Sequence, residues 1–187
     1  MYICIADLNT IRNNVNQIDL LKSKLSSVDW DKYKSFKGEV RRLQFLLGRA
    51  MIFDATGQHP QVADDGRLLL QGQKISLAHS GRFVVLAISD CDVGIDIEDT
   101  TVQRDFTEYS KLLGFGKCAS LTDFYRRFVQ MEALYKANIN KGIVRYWYLG
   151  DFIVATATVT AEEAVIWKPY HMQELPLIFV GGTEEIK

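Results

Sequence analysis

The sequence predicts an α+β protein, on three observations. Two long segments, Glu39 to Thr56 and the stretch opened by Ser120, repeat apolar residues at helical spacing. Between them lie short apolar runs, of which Phe83 to Ser89 and Val93 to Glu98 are the clearest, and these read as strands. Beyond Lys141-Gly142 the chain is rich in strand-forming residues. A chain of 187 residues can bury a real core, and 48 % hydrophobic with 24 % charged residues is the balance of a soluble globular protein of one domain or two small ones. A net charge of −1 gives no general attraction to nucleic acid, and no stretch approaches the length of a membrane span. Met1 leads into the apolar run Tyr2 to Ala6 without a basic lead or a small-residue cleavage site, so no signal peptide is expected. Cys4, Cys91 and Cys118 are odd in number and lack metal-ligand spacing, which suits packing residues in a reducing cytoplasm.

Taken in order, Tyr2 to Asp7 reads as a first strand and Ile18 to Ser26 as a short helix ahead of a polar segment, Ser27 to Lys37. Lys32, Lys34 and Lys37 there, with Arg41, Arg42 and Arg49 on the next helix, form either a phosphate-ester cradle or a solvated helix entry. Val40, Leu43, Leu47, Ala50 and Met51 give the Glu39–Thr56 helix one packed side, and Gly57 is placed to stop it. Asp64-Asp65-Gly66-Arg67 is a turn before Leu68 to Leu70, and a strand from Lys74 to Ala78 closes on His79-Ser80-Gly81, where backbone N–H groups can turn toward a phosphate. Phe83 to Ser89 and Val93 to Glu98, parted by Asp90-Cys91-Asp92, are expected to form a hairpin. Asp105 to Leu113 is expected to be helical and Gly114 to Cys118 a loop. Ser120 and Asp123 cap a helix whose apolar face runs through Leu121, Phe124, Tyr125, Phe128, Met131 and Tyr135. Phe152 to Thr160 with Ala164 to Trp167 is the expected hairpin of the tail, and Leu177 to Val180 a weaker strand.

The chemistry concentrates on Asp96 and Glu98. They alternate with Val93, Ile95 and Ile97, so both acids share one face of a strand, as residues spaced roughly 6.5–7 Å apart along it. That spacing lets two carboxylates converge on one hard cation, and it also fits a solvated strand face. Glu132 falls in the stripe 121, 125, 128, 132, 135, where an ionised carboxylate is costly unless a cation pairs with it. Lys136, four residues on, offers a plain helix-surface ion pair as the simpler account.

Three blocks carry a resemblance: SLAHSG (76–81), VGIDIE (93–98) and FVQMEALYKA (128–137), the last two about 30 residues apart. In order and spacing they resemble the Sfp-type 4′-phosphopantetheinyl transferases, which carry an S-H-S/Q-G turn, a G-(I/V)-D-(I/V)-E strand and a W-x-x-K-E-(S/A)-x-x-K helix. RRLQFLLGRAMI (41–52) looks like that family's first long helix, and Gly66-Arg67-Leu68 stands where the family has Gly-Lys-Pro. The resemblance spans roughly residues 30–145; Phe128 replaces Trp, Ala78 Ser, Leu68 Pro and Met131 the Lys before the motif glutamate.

The resemblance implies an α+β fold of two similar halves in a pseudo-twofold arrangement, residues 1–90 and 91–187, with coenzyme A between them. It implies Asp96, Glu98 and Glu132 as magnesium ligands, His79 with Ser80 beside it on a coenzyme A phosphate, Lys136 near the pyrophosphate, Lys32 at the ribose 3′-phosphate and Arg67 in the lysine place of Gly-Lys-Pro. The implied reaction is attack of a carrier-protein serine on the coenzyme A pyrophosphate, with Glu132, directly or through a metal-bound water, as base and 3′,5′-adenosine diphosphate leaving. An acyl or peptidyl carrier protein is the expected partner of a cytoplasmic monomer that binds neither nucleic acid nor membrane. Two other readings compete: a non-catalytic coenzyme A or carrier-protein binding module, and, from the acids alone, a metal-dependent phosphoester hydrolase.

Overall fold

The computed structural model describes residues 1–160, 164–176 and 178–186 and is α+β. Strand β1 (Tyr2–Asp7) is followed by a single 3-10 turn, then by helices α1 (Val15–Lys22), α2 (Ser27–Ser35) and α3 (Glu39–Thr56). A short ribbon of β2 (Gln61–Val62) and β3 (Leu68–Leu69) precedes β4 (Lys74–Ser80), β5 (Phe83–Ser89) and β6 (Val93–Asp99). Helices α4 (Phe106–Leu112) and α5 (Leu121–Ala137) follow, then β7 (Gly142–Leu149), β8 (Phe152–Thr158), β9 (Ile166–Pro169) and β10 (Phe179–Ile186). Helix α3 ends on Gly57, whose φ of 69° is the left-handed stop the sequence supplies. No helix among the described residues is long and apolar enough to cross a membrane.

The first sheet runs β4-β5-β1-β9 and the second β10-β7-β8-β6. Within each, one order of elements recurs: β1, α3, β4, β5 in the first and β6, α5, β7, β8 in the second, with each unit's first strand antiparallel to its last. Alternation of side chains builds three cores. Leu86 and Ile88 pack toward α3 with Leu43, Leu47 and Met51; Ile3, Ile5 and Val85 meet Val93, Ile95 and Ile97 between the sheets; Ala155 and Tyr146 pack toward α5 with Phe124, Val129 and Ala133.

Several elements depart from the sequence expectations. Strands β5 and β6 do not pair: β5 hydrogen-bonds to β4 and β1, and the chain crosses at residues 90–92 into the other sheet, where β6 is an edge against β8. The partner of β8 is β7, not the 164–167 segment, which instead lies parallel to β1 as β9. The weaker strand expected over 177–180 begins at Phe179 and pairs with β7; residue 177 lies outside the described residues. The polar segment 27–37 contains α2, whose buried residues are Asp29 and Tyr33, and α1 starts at Val15, three residues before the expected Ile18.

Candidate functional site

Because β6 alternates strictly, Val93, Ile95 and Ile97 enter the core between the sheets, and Gly94, Asp96 and Glu98 face α5. Gly94 is what lets them meet the helix. A Cβ there would stand 1.8 Å from the Ala133 carbonyl oxygen and 2.7 Å from the Ala137 nitrogen, so α5 rides directly on the strand. The buried stripe of α5 is Tyr125, Val129, Ala133 and Ala137, at four-residue spacing. This corrects the expected stripe through 121, 125, 128, 132 and 135: Glu132 is half-buried beside the apolar contact, and Tyr135 is exposed.

Lys136 reaches off its helix to Asp96, its Nζ donating to Oδ1 at 2.6 Å, so the helix-surface pair with Glu132 gives way to a contact across the α5–β6 gap. The second oxygen, Oδ2, is buried with no hydrogen-bond partner. Burial pushes the Asp96 carboxyl up to about 6 against the opposing pull of Lys136, and the charges of Glu98 and Glu132 add to the upward shift. Burial also raises Glu98, despite a hydrogen bond from Ser80 and the fields of Arg104 and Lys136. The acids thus lie within one another's fields, yet no group of three or more His, Cys, Asp or Glu among the described residues is arranged to hold a metal ion. In this state the ammonium of Lys136 is the cation at Asp96.

The edges of the two sheets meet along β4 and β6, joined by serines. Ser76 Oγ accepts the Ile95 N–H at 3.0 Å, and Ser80 Oγ accepts the Asp99 N–H at 3.1 Å while donating to Glu98 Oε2 at 3.0 Å. Ser80 therefore spends its hydroxyl on orienting an acid and on an edge N–H. Next to it, His79 Nδ1 lies 3.3 Å from an Arg41 guanidinium nitrogen. Burial, with Arg41 and Lys136 nearby, pulls His79 down to about 4, so it is neutral at pH 7. The turn behind it is fixed by Gln44, whose Nε2 donates to the Gly81 carbonyl at 2.9 Å.

Lys136, Ser76, His79 and Arg41 border a row of adjoining cavities. One of about 460 Å³ is lined by Lys32, Arg41, Arg49, His79 and Gly66; a small one of about 140 Å³ shares Gly66 and reaches Arg67, Ser76 and Lys136; a third of about 390 Å³ continues past Arg67 and Lys136 toward Val93. Lys32 and Arg41 both lie over the Phe36 ring, at 5.6 and 5.5 Å from its centroid. Arg67 is tied to Asp65 at 2.7 Å within its turn. Met131 lines a separate cavity with Arg126, Arg127 and Gln130 and borders none of these three. Sequence reasoning left Arg41 in an undifferentiated basic cluster and missed the wall built by α2. That wall hangs on a buried ion pair from Asp29 Oδ1 to Arg49 Nε at 2.8 Å, a contact that leaves no periodic trace.

His79 supplies a pH prediction for this groove. An anion bound beside it favours the imidazolium, so binding of a phosphate ester at pH 5.5 should take up a substantial fraction of a proton, and at pH 7.5 far less. Calorimetry in buffers of different ionisation enthalpy reads this directly; equal uptake at both pH values, or the same uptake by His79→Asn, rules His79 out as the group responsible.

No family model and no curated protein matches this chain.

Proposed function

We propose that the protein is a magnesium-dependent 4′-phosphopantetheinyl transferase of the Sfp type, acting on coenzyme A and an apo acyl or peptidyl carrier protein. The observation that carries this reading is the convergence of three blocks distant in sequence: Asp96 and Glu98 on β6 face Lys136 and Glu132 of α5, and Ser80 of the His79 turn binds Glu98. The shared element order of the two sheets is what a fold of two similar halves in a pseudo-twofold arrangement requires.

The chemistry of the donors suits a hard cation: the acids offer oxygen, Oδ2 of Asp96 lacks a partner, and burial raises the pKa of both Asp96 and Glu98. Asp96, Glu98 and Glu132 would hold magnesium, which when bound neutralises charge developing on the pyrophosphate. Lys32, Arg41 and His79 take the ribose 3′-phosphate side of the ligand, and Arg67 and Lys136 the pyrophosphate side. Glu132 receives the proton of the carrier serine as its oxygen forms the new P–O bond and 3′,5′-adenosine diphosphate departs. The row of cationic cavities favours this over a general phosphoester hydrolase, which has no use for a second phosphate site.

The test is mass spectrometry of an apo carrier protein incubated with the protein, coenzyme A and magnesium. One phosphopantetheine added to the carrier is the expected result. Tight coenzyme A binding without transfer identifies a binding module, and an unchanged carrier with coenzyme A cleaved identifies a hydrolase. Calorimetry adds a prediction on Lys32: coenzyme A should bind more tightly than its 3′-dephospho form by roughly 1.5–3 kcal/mol, the value of a charge-assisted contact, and Lys32→Ala should remove most of that gap. Equal affinities in the wild type would take Lys32 out of the site.

A further inference from the structure

Asp96 has one oxygen engaged and one idle. Its side chain is 9 % exposed, Oδ1 holds Lys136 Nζ at 2.6 Å, and Oδ2 is buried with no partner. A buried carboxylate in that state favours a second positive contact, but the ammonium already at Oδ1 repels any further cation brought to the same group. Lys136 has an alternative place. Its side chain is 24 % exposed and borders both cavities lined by Arg67, on the flexible stem that suits lysine to such a move.

We propose that Lys136 is a built-in competitor of the divalent cation: its ammonium holds Asp96 while the site lacks a cation, and it moves to the Arg67 side of the groove when a cation takes the carboxylate. This rests on the reading above that a hard divalent cation binds at Asp96 and Glu98. Two consequences follow from one exchange. Cation binding delivers a free ammonium to the anion groove, and an anion that draws Lys136 away vacates Asp96, so each ligand raises the affinity for the other by the same factor. The device also keeps Asp96 compensated between ligation events, so the acid strand stays against α5.

The exchange predicts a result opposite in sign to the usual effect of deleting a site residue. Manganese(II) alone is titrated into the full chain, free ion being read by electron paramagnetic resonance, for wild type, Lys136→Met and Lys136→Met/Asp96→Asn, with folding checked by melting. Lys136→Gln replaces the Met variant if that one does not fold. Lys136→Met should bind manganese at least about tenfold more tightly than wild type, and the double variant should lose the gain. In the wild type, manganese should increase labelling of the Lys136 amine by acetic anhydride, read by peptide mass spectrometry. Wild-type binding that is unchanged or weakened in Lys136→Met overturns the exchange and leaves the cation site standing. A gain retained in the double variant also overturns it, since removal of one positive charge then accounts for the effect. Absence of saturable binding in every variant overturns the cation reading itself.

Discussion

Gly94→Ala is expected to cost more than about 4 kcal/mol of stability and to lower the melting temperature by about 8–16 °C. The new methyl group would stand 1.8 Å from the Ala133 carbonyl oxygen and 2.7 Å from the Ala137 nitrogen, both backbone atoms of α5. Rotamer changes cannot relieve a clash with backbone, so the helix must lift off β6 along the contact that positions Glu132 and Lys136. A domain of ordinary stability, about 5–15 kcal/mol, loses a large part of it in that step. Differential scanning calorimetry checks this, and a melting temperature within about 3 °C of wild type would show that α5 does not ride on Gly94.

The second large effect is expected on the transfer proposed above. Asp96→Asn and Glu132→Ala should each lower transfer by roughly 10³-fold or more, about 4 kcal/mol of barrier, with the fold retained. Stability separates this from unfolding. The folded-state value of Asp96 is raised to about 6, so the folded protein holds a proton that the unfolded chain gives up near pH 4, and the contribution of Asp96 to stability falls as pH rises across that window. Asp96→Asn lacks this loss, and its melting temperature should rise relative to wild type between pH 4 and 6.5. His79, depressed to about 4, works the other way: its contribution is present above pH 6.5 and lost as pH falls toward 4. The two nearly offset in the wild type, so His79→Asn should show a relative slope opposite to that of Asp96→Asn. Parallel slopes, or near-wild-type transfer by Glu132→Ala in single-turnover assays, would sink the assignment of these groups.

What was legible in the sequence was local. Alternation along 93–98 put Asp96 and Glu98 on one face, helical spacing marked α3 and α5, and Gly57 and Ser120 marked where α3 stops and α5 starts. What was not legible was partnership. A polar turn at 90–92 looks the same whether the chain folds back on itself or crosses to another sheet, so β5 and β6 were expected to pair when they do not. Helix α2 has little apolar period because a buried ion pair from Asp29 to Arg49 fastens it. Lys136 lies four residues from Glu132, and only the close approach at Gly94 carries its ammonium to Asp96 instead.

The pairing of β9 with β1 bears on how the chain is made. Strand β1 takes β5 on one side early in synthesis, but its other side is covered by residues 166–169, from Tyr2↔Ile166 to Ile5↔Pro169. Until the ribosome has released that segment, an N-terminal portion already able to collapse on α3 carries a bare, hydrogen-bond-hungry strand edge, the kind of edge that recruits strands from other chains. The interval between emergence of β5 and of β9 is therefore when nascent chains are most exposed to aggregation, and a truncation ending before residue 166 would make that exposure permanent.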